Sequence, residues 1–224
     1  MKVNSMKRIK YALFDLDGTL IDTKEGIIAA VVYTINKFGK DIPKQSVLEG
    51  MIGPPIQESF QRLYNLSDSE AIIMANEFRE IYKKEDVLFK ATPYSGIYEL
   101  LQMISEAGII IGIATYKRED YAVRLLKEKG FDKYTKYIYG ADYEGKLKKQ
   151  DIIKRCLLDM GCMNMLQAVY IGDTESDGLS ASSIGMDFIA VTYGFGFKNK
   201  EDTNRYSPVG IASCCKQLEE IILT

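Results

Sequence analysis

Histidine is absent from this 224-residue chain. That removes the commonest general base and the commonest transition-metal ligand. Any catalysis must run on carboxylates, hydroxyls, lysines or thiols. Any bound metal must be a hard one held by oxygen, magnesium or calcium before zinc. The four cysteines, Cys156, Cys162, Cys214 and Cys215, lack a C-x-x-C spacing. They read as free thiols of a reducing cytoplasm rather than as a zinc site or a disulfide framework. No apolar run approaches membrane-spanning length. The basic start, MKVNSMKRIK, leads into a short apolar stretch that meets Asp15, which is not the pattern of a signal peptide. Neither sign of charge dominates: 29 basic residues are interspersed with 31 acidic ones. The basic stripe of a nucleic-acid-binding protein is therefore missing. The expectation is a cytoplasmic protein with neither a nucleic acid nor a membrane as partner, and both monomer and homodimer are compatible with it.

The length suits one large domain, or a core carrying an inserted lobe. YALFDL reads as a buried strand ending in Asp15, and the apolar spacing after it suits a helix from about Thr23 to Phe38, stopped by Gly39. SVLEGMIGPPIQESFQRLY reads as two short helical pieces broken at Gly53-Pro54-Pro55. SDSEAIIMANEFREIYKKE opens with a capping box, Ser67 with Glu70, and continues as a long helix. No strand is evident between about residues 22 and 91. After Pro93 the rhythm changes to strands alternating with helices closed by Gly108, Gly130, Gly161 and Gly185. That alternation predicts an α/β fold, a doubly wound parallel sheet covered on both faces. The expected organisation is a core of residues 1–21 and 92–224, interrupted by a small α-helical insertion at 22–91.

Polar residues recur where the strands end, which is where open parallel sheets bind ligands. Asp15 and Asp17 end the first strand and are followed by Gly18 and Thr19. Gly18 allows a sharp turn and Thr19 offers a hydroxyl. Two carboxylates so close together cost free energy unless something positive or a shared proton offsets them. Thr115 ends IIIGIAT just before a helix, a natural phosphate contact. Tyr116 and Lys117 follow it. Lys117 is near enough to touch an anion, although a solvated lysine is the simpler reading. YIGDTESDG brings Asp173 to another strand end and Asp177 to the first turn of the next helix. There Asp177 acts either as a favourable helix-terminal charge or near a metal. Glu175 between them is a weaker candidate. EGKLKKQDII offers Lys146, Lys148 and Lys149 just before a helix, one of which would supply the charge the carboxylates lack. YGFGF, residues 193–197, is no P-loop and reads as a mobile turn near the entrance.

With Asp15, Thr115, Lys149 and Asp173 in that order, the chain resembles the haloacid dehalogenase (HAD) superfamily over nearly its whole length. FDLDGTLIDT is similar to that family's first motif, D-x-D-G-T, and IGDTESD to its fourth, G-D-x-x-x-D. The helical block resembles the family's small cap, and MIGPPIQESF a segment of the phosphoglycolate phosphatase-like branch. The resemblance implies a Rossmann-like core and a magnesium-dependent phosphatase acting on a small phosphorylated metabolite. Asp15 would attack phosphorus and become an aspartyl phosphate. Asp17 would protonate the leaving oxygen and then activate water. Thr115 and Lys149 would hold the transferring phosphoryl group. Magnesium would be held by Asp15, the backbone carbonyl of Asp17 and Asp173, with Asp177 close by. Gly18, Thr19, Tyr116, Lys117, Gly53 and Pro54 complete the expected phosphate and substrate contacts. The third motif departs from the usual Lys-Pro, since Gln150 follows Lys149, and Tyr116 stands where Ser or Asn is usual.

A 5'-nucleotidase, a pyrophosphatase or a sugar phosphomutase of the same fold shares these motifs and differs mainly in cap contacts. A receiver-type signalling domain also phosphorylates an Asp beside magnesium, Thr and Lys. It needs neither Asp17 nor a helical block after its first strand, and its phosphoacceptor ends a later strand.

Overall fold

The computed structural model describes residues 9–224. Residues 1–8, most of the basic start and part of the segment assigned above to the core, lie outside the described residues. The strands are β1 (Tyr11–Phe14), β2 (Ile21–Asp22), β3 (Thr92–Pro93), β4 (Ile110–Arg118), β5 (Ile138–Ala141), β6 (Ala168–Gly172), β7 (Asp187–Val191) and β8 (Gly210–Ala212). The helices are α1 (Lys24–Lys37), α2 (Gln45–Glu49), α3 (Ile56–Tyr64), α4 (Asp68–Tyr82), α5 (Glu85–Leu88), α6 (Ile97–Glu106), α7 (Glu119–Glu128), α8 (Lys149–Asp159), α9 (Glu175–Ser183) and α10 (Cys215–Leu223).

Six strands form one sheet in the order β5-β4-β1-β6-β7-β8, every pairing parallel. Leu13, Phe14, Val169, Tyr170, Ile171 and Ile189 are all buried, as a sheet covered on both faces requires. On one face Ile152, Ile153, Cys156 and Leu157 of α8 and Ala181 of α9 pack on the strands. On the other, Ile97, Leu100, Leu101, Leu125 and Leu126 of α6 and α7 and Leu218 of α10 do so.

The chain leaves β1 for β4 on one side, and β6 adds on the other. The reversal of strand order therefore falls at β1, the place where such sheets hold ligands. Phe14 pairs with Ile113 and with Ile171. Asp15, Thr115 and Asp173 thus leave three adjacent strands within two residues of one level.

Five helices lie between β2 and β3, which pair antiparallel and form the neck of the insertion. Here the capping box forms as expected: Ser67 Oγ accepts from Glu70 N at 3.4 Å, and Ser67 N donates to Glu70 Oε2 at 2.9 Å. The apolar side of α4 (Ala71, Met74, Ala75, Phe78) is buried, and α4 packs on α1 and α3. Two details differ from the sequence expectation. The short strands β2 and β3 and the edge strand β8 carry too few residues to show a period. The strand expected to end at Thr115 runs on to Arg118, with a register shift against β5 between Ala114 and Arg118.

Candidate active site

Asp15, Asp173 and Asp177 are buried, and one oxygen of each lies within 4.8 Å of the others. Lys149, the first residue of α8, is buried beside them. Its Nζ lies 3.1 Å from Asp15 Oδ1 and also pairs with Asp177. Lys148 and Lys146 are exposed, and Lys146 pairs with Glu144. Position one of the helix therefore decides which of the three lysines faces the carboxylates.

Asp177 takes the helix-terminal role its position suggested, and it also lies in the carboxylate cluster. Its Oδ2 caps α9, accepting from Thr174 N at 2.8 Å and from Thr174 Oγ1 at 2.6 Å. Its Oδ1 faces Lys149.

Burial pushes Asp15 up to about 7, against the pull of Lys149 and with the help of Asp177 and Asp17. Burial, then Asp177 and Asp15, push Asp173 up to about 7, against two backbone donors. Burial alone would lower Lys149, but Asp15 and Asp177 outweigh it and hold the ammonium above its ordinary range. Three carboxylates thus share one ammonium. Asp15 Oδ1 and Asp177 Oδ1 are buried without a hydrogen-bond partner; Asp15 Oδ1 is at ion-pair distance from Lys149 but outside hydrogen-bond geometry. An all-oxygen set short of positive charge fits a hard divalent cation.

Glycine is required around this cluster by close approach. A Cβ on Gly18, whose φ is +83°, would lie 2.3 Å from Asp173 Oδ2, and one on Gly172 would lie 2.3 Å from Asp177 Cγ.

The second carboxylate of the motif has a different partner. Asp17 Oδ1 and Oδ2 each lie 3.0 Å from Lys117 Nζ. Lys117 also donates to Tyr82 Oη at 2.8 Å and sits 4.8 Å from the centre of that ring. Lys117 is buried, so the solvated reading is corrected. The extension of β4 past Thr115 carries it under α4 instead of into water. Asp17 and Tyr82 outweigh burial and hold its ammonium above the ordinary range.

Thr115 is buried, and its Oγ1 accepts from Lys117 N at 3.2 Å. Thr19 is buried with Oγ1 3.4 Å from Asp173 Oδ1. Tyr116 lies with its ring centre 5.6 Å from Lys149 Nζ. Gly53 and Pro54 join Asp17, Tyr116 and Lys117 on the wall of a cavity of about 150 Å³ between the helical insertion and the core.

The stretch 193–197 is corrected as well. Phe195 N and Gly196 N donate to Asp173 Oδ2 at 2.6 and 3.0 Å, and Tyr193 Oη donates to Thr19 O at 3.0 Å. It is the loop that holds Asp173. The signal was its paired glycines, since a Cβ at Gly194 would lie 2.2 Å from Gly18 O. Tyr82 was missed because a tyrosine in an amphipathic helix carries no motif.

The chain matches the haloacid dehalogenase-like hydrolase family over residues 12–191. The chain belongs to that family. A 5'-nucleotidase of Pseudomonas aeruginosa is 31% identical over 210 residues, covering 94% of each chain. The pyrophosphatase PpaX of Bacillus velezensis is 31% identical over 204 residues, covering 90% of this chain and 91% of that one. The crystal structure of a predicted phosphatase from Clostridium acetobutylicum superposes with a TM-score of 0.89 at 32% identity, covering 96% of this chain and 98% of that one. Asp15 directly follows the first strand, which is interior to the sheet, whereas the phosphoacceptor of a receiver domain ends a later strand. No helix among the described residues is long and apolar enough to cross a membrane.

Proposed function

We propose that the chain is a magnesium-dependent phosphatase that hydrolyses a small phosphomonoester through an aspartyl phosphate on Asp15. The observation that carries this is the buried group of Asp15, Asp173, Asp177 and Lys149 at the strand-order reversal. Phosphoryl transfer needs charge neutralisation and placement more than covalent help. Asp15, Asp173 and the backbone carbonyl of Asp17 would hold the cation, with Asp177 beside them. When bound, it supplies positive charge to the phosphoryl oxygens.

Asp15 attacks phosphorus, and the leaving oxygen departs on the side of Asp17. Asp17, protonated in the substrate complex, gives that oxygen its proton, becomes the carboxylate that pairs with Lys117, and then takes a proton from the water that cleaves the acyl phosphate. Lys149 stabilises the oxygens in transit, and the Thr115 hydroxyl binds one of them. Lys117 offsets the charge of Asp17, as Lys149 and the cation offset that of Asp15. The helical insertion, residues 22–91, acts as a cap over the crevice, with the Gly53-Pro54-Pro55 break on its inner side. The small cavity beside Asp17 favours a small leaving group.

The test is release of inorganic phosphate from a panel of small phosphoesters, nucleoside monophosphates, sugar phosphates and pyrophosphate, with and without magnesium. Asp15→Asn is nearly isosteric and should fold normally yet abolish turnover. Retention of near-native activity by a pure Asp15→Asn protein would overturn the covalent route.

A further inference from the structure

The cavity beside Asp17 carries three cationic side chains, and they are not equally engaged. Lys117 is neutralised by Asp17 at 3.0 Å. Arg118 is held by Asp120, with Nη2 2.7 Å from Oδ2, and its guanidinium lies 3.9 Å from the centre of the Tyr121 ring. Arg79, near the end of α4, is different. Its guanidinium is partly buried and has a single hydrogen bond among the described residues, to Asn76 Oδ1 at 2.8 Å. Arg118, Tyr121 and Tyr143 act on its charge, and among the described residues no carboxylate forms an ion pair with it. Burial and the neighbouring Arg118 both push it below the usual arginine range. The remaining acid on the cavity wall, Asp142, accepts from Leu147 N at 3.0 Å. A partly desolvated guanidinium beside a second one, without a counter-charge, costs free energy in the empty site.

We propose that Arg79 recognises a negative charge on the leaving group, so that the substrate is a small phosphoester whose leaving group carries its own carboxylate or phosphate. The proposal rests on the reading of Asp15 and its neighbours as the phosphoryl end of the site. Arg79 and Asp17, the group assigned to the leaving oxygen, both line this cavity. An arginine presents a planar fork that matches either a carboxylate or a phosphate. About 150 Å³ of room beside Asp17 accommodates a compact anion. The tyrosines on the wall line the approach to the guanidinium.

The experiment compares three alkyl phosphoesters: 2-phosphoglycolate (carboxylate), ethylene glycol bisphosphate (second phosphate) and ethyl phosphate (no charge on the leaving group). The native enzyme should prefer one or both charged compounds over ethyl phosphate in kcat/KM; which one distinguishes the two anions. Arg79→Gln should lower the charged-to-ethyl ratio at least tenfold, mainly through KM, because a hydrogen bond to a charged group is lost. Arg79→Lys should restore part of it. A native enzyme that prefers ethyl phosphate, or a ratio unmoved by Arg79→Gln, overturns the proposal. Calorimetric binding of the same compounds to Asp15→Asn protein, with and without Arg79→Gln, reads the charge preference without turnover. Charge-selective binding that depends on Arg79, with no phosphate released by the native enzyme, would support the role of Arg79 and overturn the phosphatase reading. Equal binding of all compounds in both backgrounds would overturn the role of Arg79.

Discussion

The crevice holds two buried lysine–carboxylate centres, and they are built from different parts of the chain. Lys149 pairs with Asp15 and Asp177, all on the core, at the ends of β1 and the starts of α8 and α9. Lys117 pairs with Asp17 but also reaches Tyr82, the last residue of α4 in the helical insertion. The first centre is built wholly from the core and carries an excess of negative charge. The second is neutral and spans two layers. A centre set by strand ends has its geometry fixed by sheet register, which suits chemistry. A centre completed from an insertion depends on how that insertion sits, which suits reading the leaving group and sensing closure.

The largest test of this contrast is Lys149→Met. It removes the ammonium that pairs with Asp15 and Asp177, and kcat should fall about a hundredfold or more, as when one preorganised stabiliser of transition-state charge is lost. Extra magnesium should not restore turnover, because the cation and the ammonium act on different oxygens. Steady-state phosphate release at rising magnesium checks this. Loss of activity that high magnesium fully repairs would make Lys149 a mere counter-charge for the metal ligands.

Lys117→Met should cost less in rate and more in fold. It leaves Asp17 buried without its partner, and breaking one side of a buried pair costs about 3–5 kcal/mol. Magnesium should raise the melting temperature of Lys149→Met protein toward the native value, since the cation joins the same carboxylates. It should do little for Lys117→Met protein. Melting curves of both variants with and without magnesium compare the centres directly. Equal rescue of the two would dissolve the distinction between them.

The centres also differed in how legible they were. The strand ends that carry Asp15, Thr115 and Asp173 follow from hydrophobic period and turn signals, because register at a parallel sheet turns sequence position into place, whereas the choice of Lys149 came with the family resemblance. Lys149 was not separable from Lys148 or Lys146 by position in the sequence; the packing of α8 decides it, burying Lys149 and leaving the other two exposed. Lys117 was not legible as a buried residue. Its burial depends on β4 running past Thr115 beneath α4, a contact between segments some 35 residues apart (Tyr82 to Lys117). The loop at 193–197 was misplaced for the same reason: backbone N–H groups that bind Asp173 leave no side-chain signature. Arg79 lies on a partly exposed helix face, where an unpaired guanidinium cannot be told from a paired one before the packing is known.

A smaller effect separates the centres by pH. In metal-free protein Asp15 and Asp173 sit near 7, raised from ordinary carboxylate values. A carboxyl raised in the folded state contributes stability that is complete below its unfolded pKa and is lost as pH rises through the folded one. The metal-free melting temperature should therefore fall as pH rises from about 4 to about 7 and level off above that. Saturating magnesium should flatten or reverse that slope, because metal binding requires the carboxylates deprotonated. Asp173→Asn should reduce it without metal. A metal-free melting temperature that rises over this window would mean that the core cluster is already charge-balanced by its own lysine.

The smallest expected effect is the sharpest test of the boundary between the centres. Tyr82→Phe removes one hydroxyl that accepts from Lys117 and keeps the ring. That ring stacks on Phe78 at 5.3 Å and meets Tyr121 edge-on at 5.8 Å, so the packing of α4 should survive. The lost hydrogen bond should cost about 0.5–1.5 kcal/mol, partly more because the Lys117 ammonium stays buried with one donor freed. That corresponds to a fall of a few degrees in melting temperature for a domain of this size. Asp17 still neutralises Lys117, so kcat should change only a few-fold. The change should be uneven across substrates, since the hydroxyl lies on the leaving-group wall, while magnesium affinity, set wholly by core residues, should not move. Parallel measurement of kcat/KM on 2-phosphoglycolate and ethyl phosphate, with magnesium titration, separates the possibilities. A loss as large as that of Lys149→Met, shared equally by both substrates, would place Tyr82 in the chemistry and erase the division of labour between core and insertion.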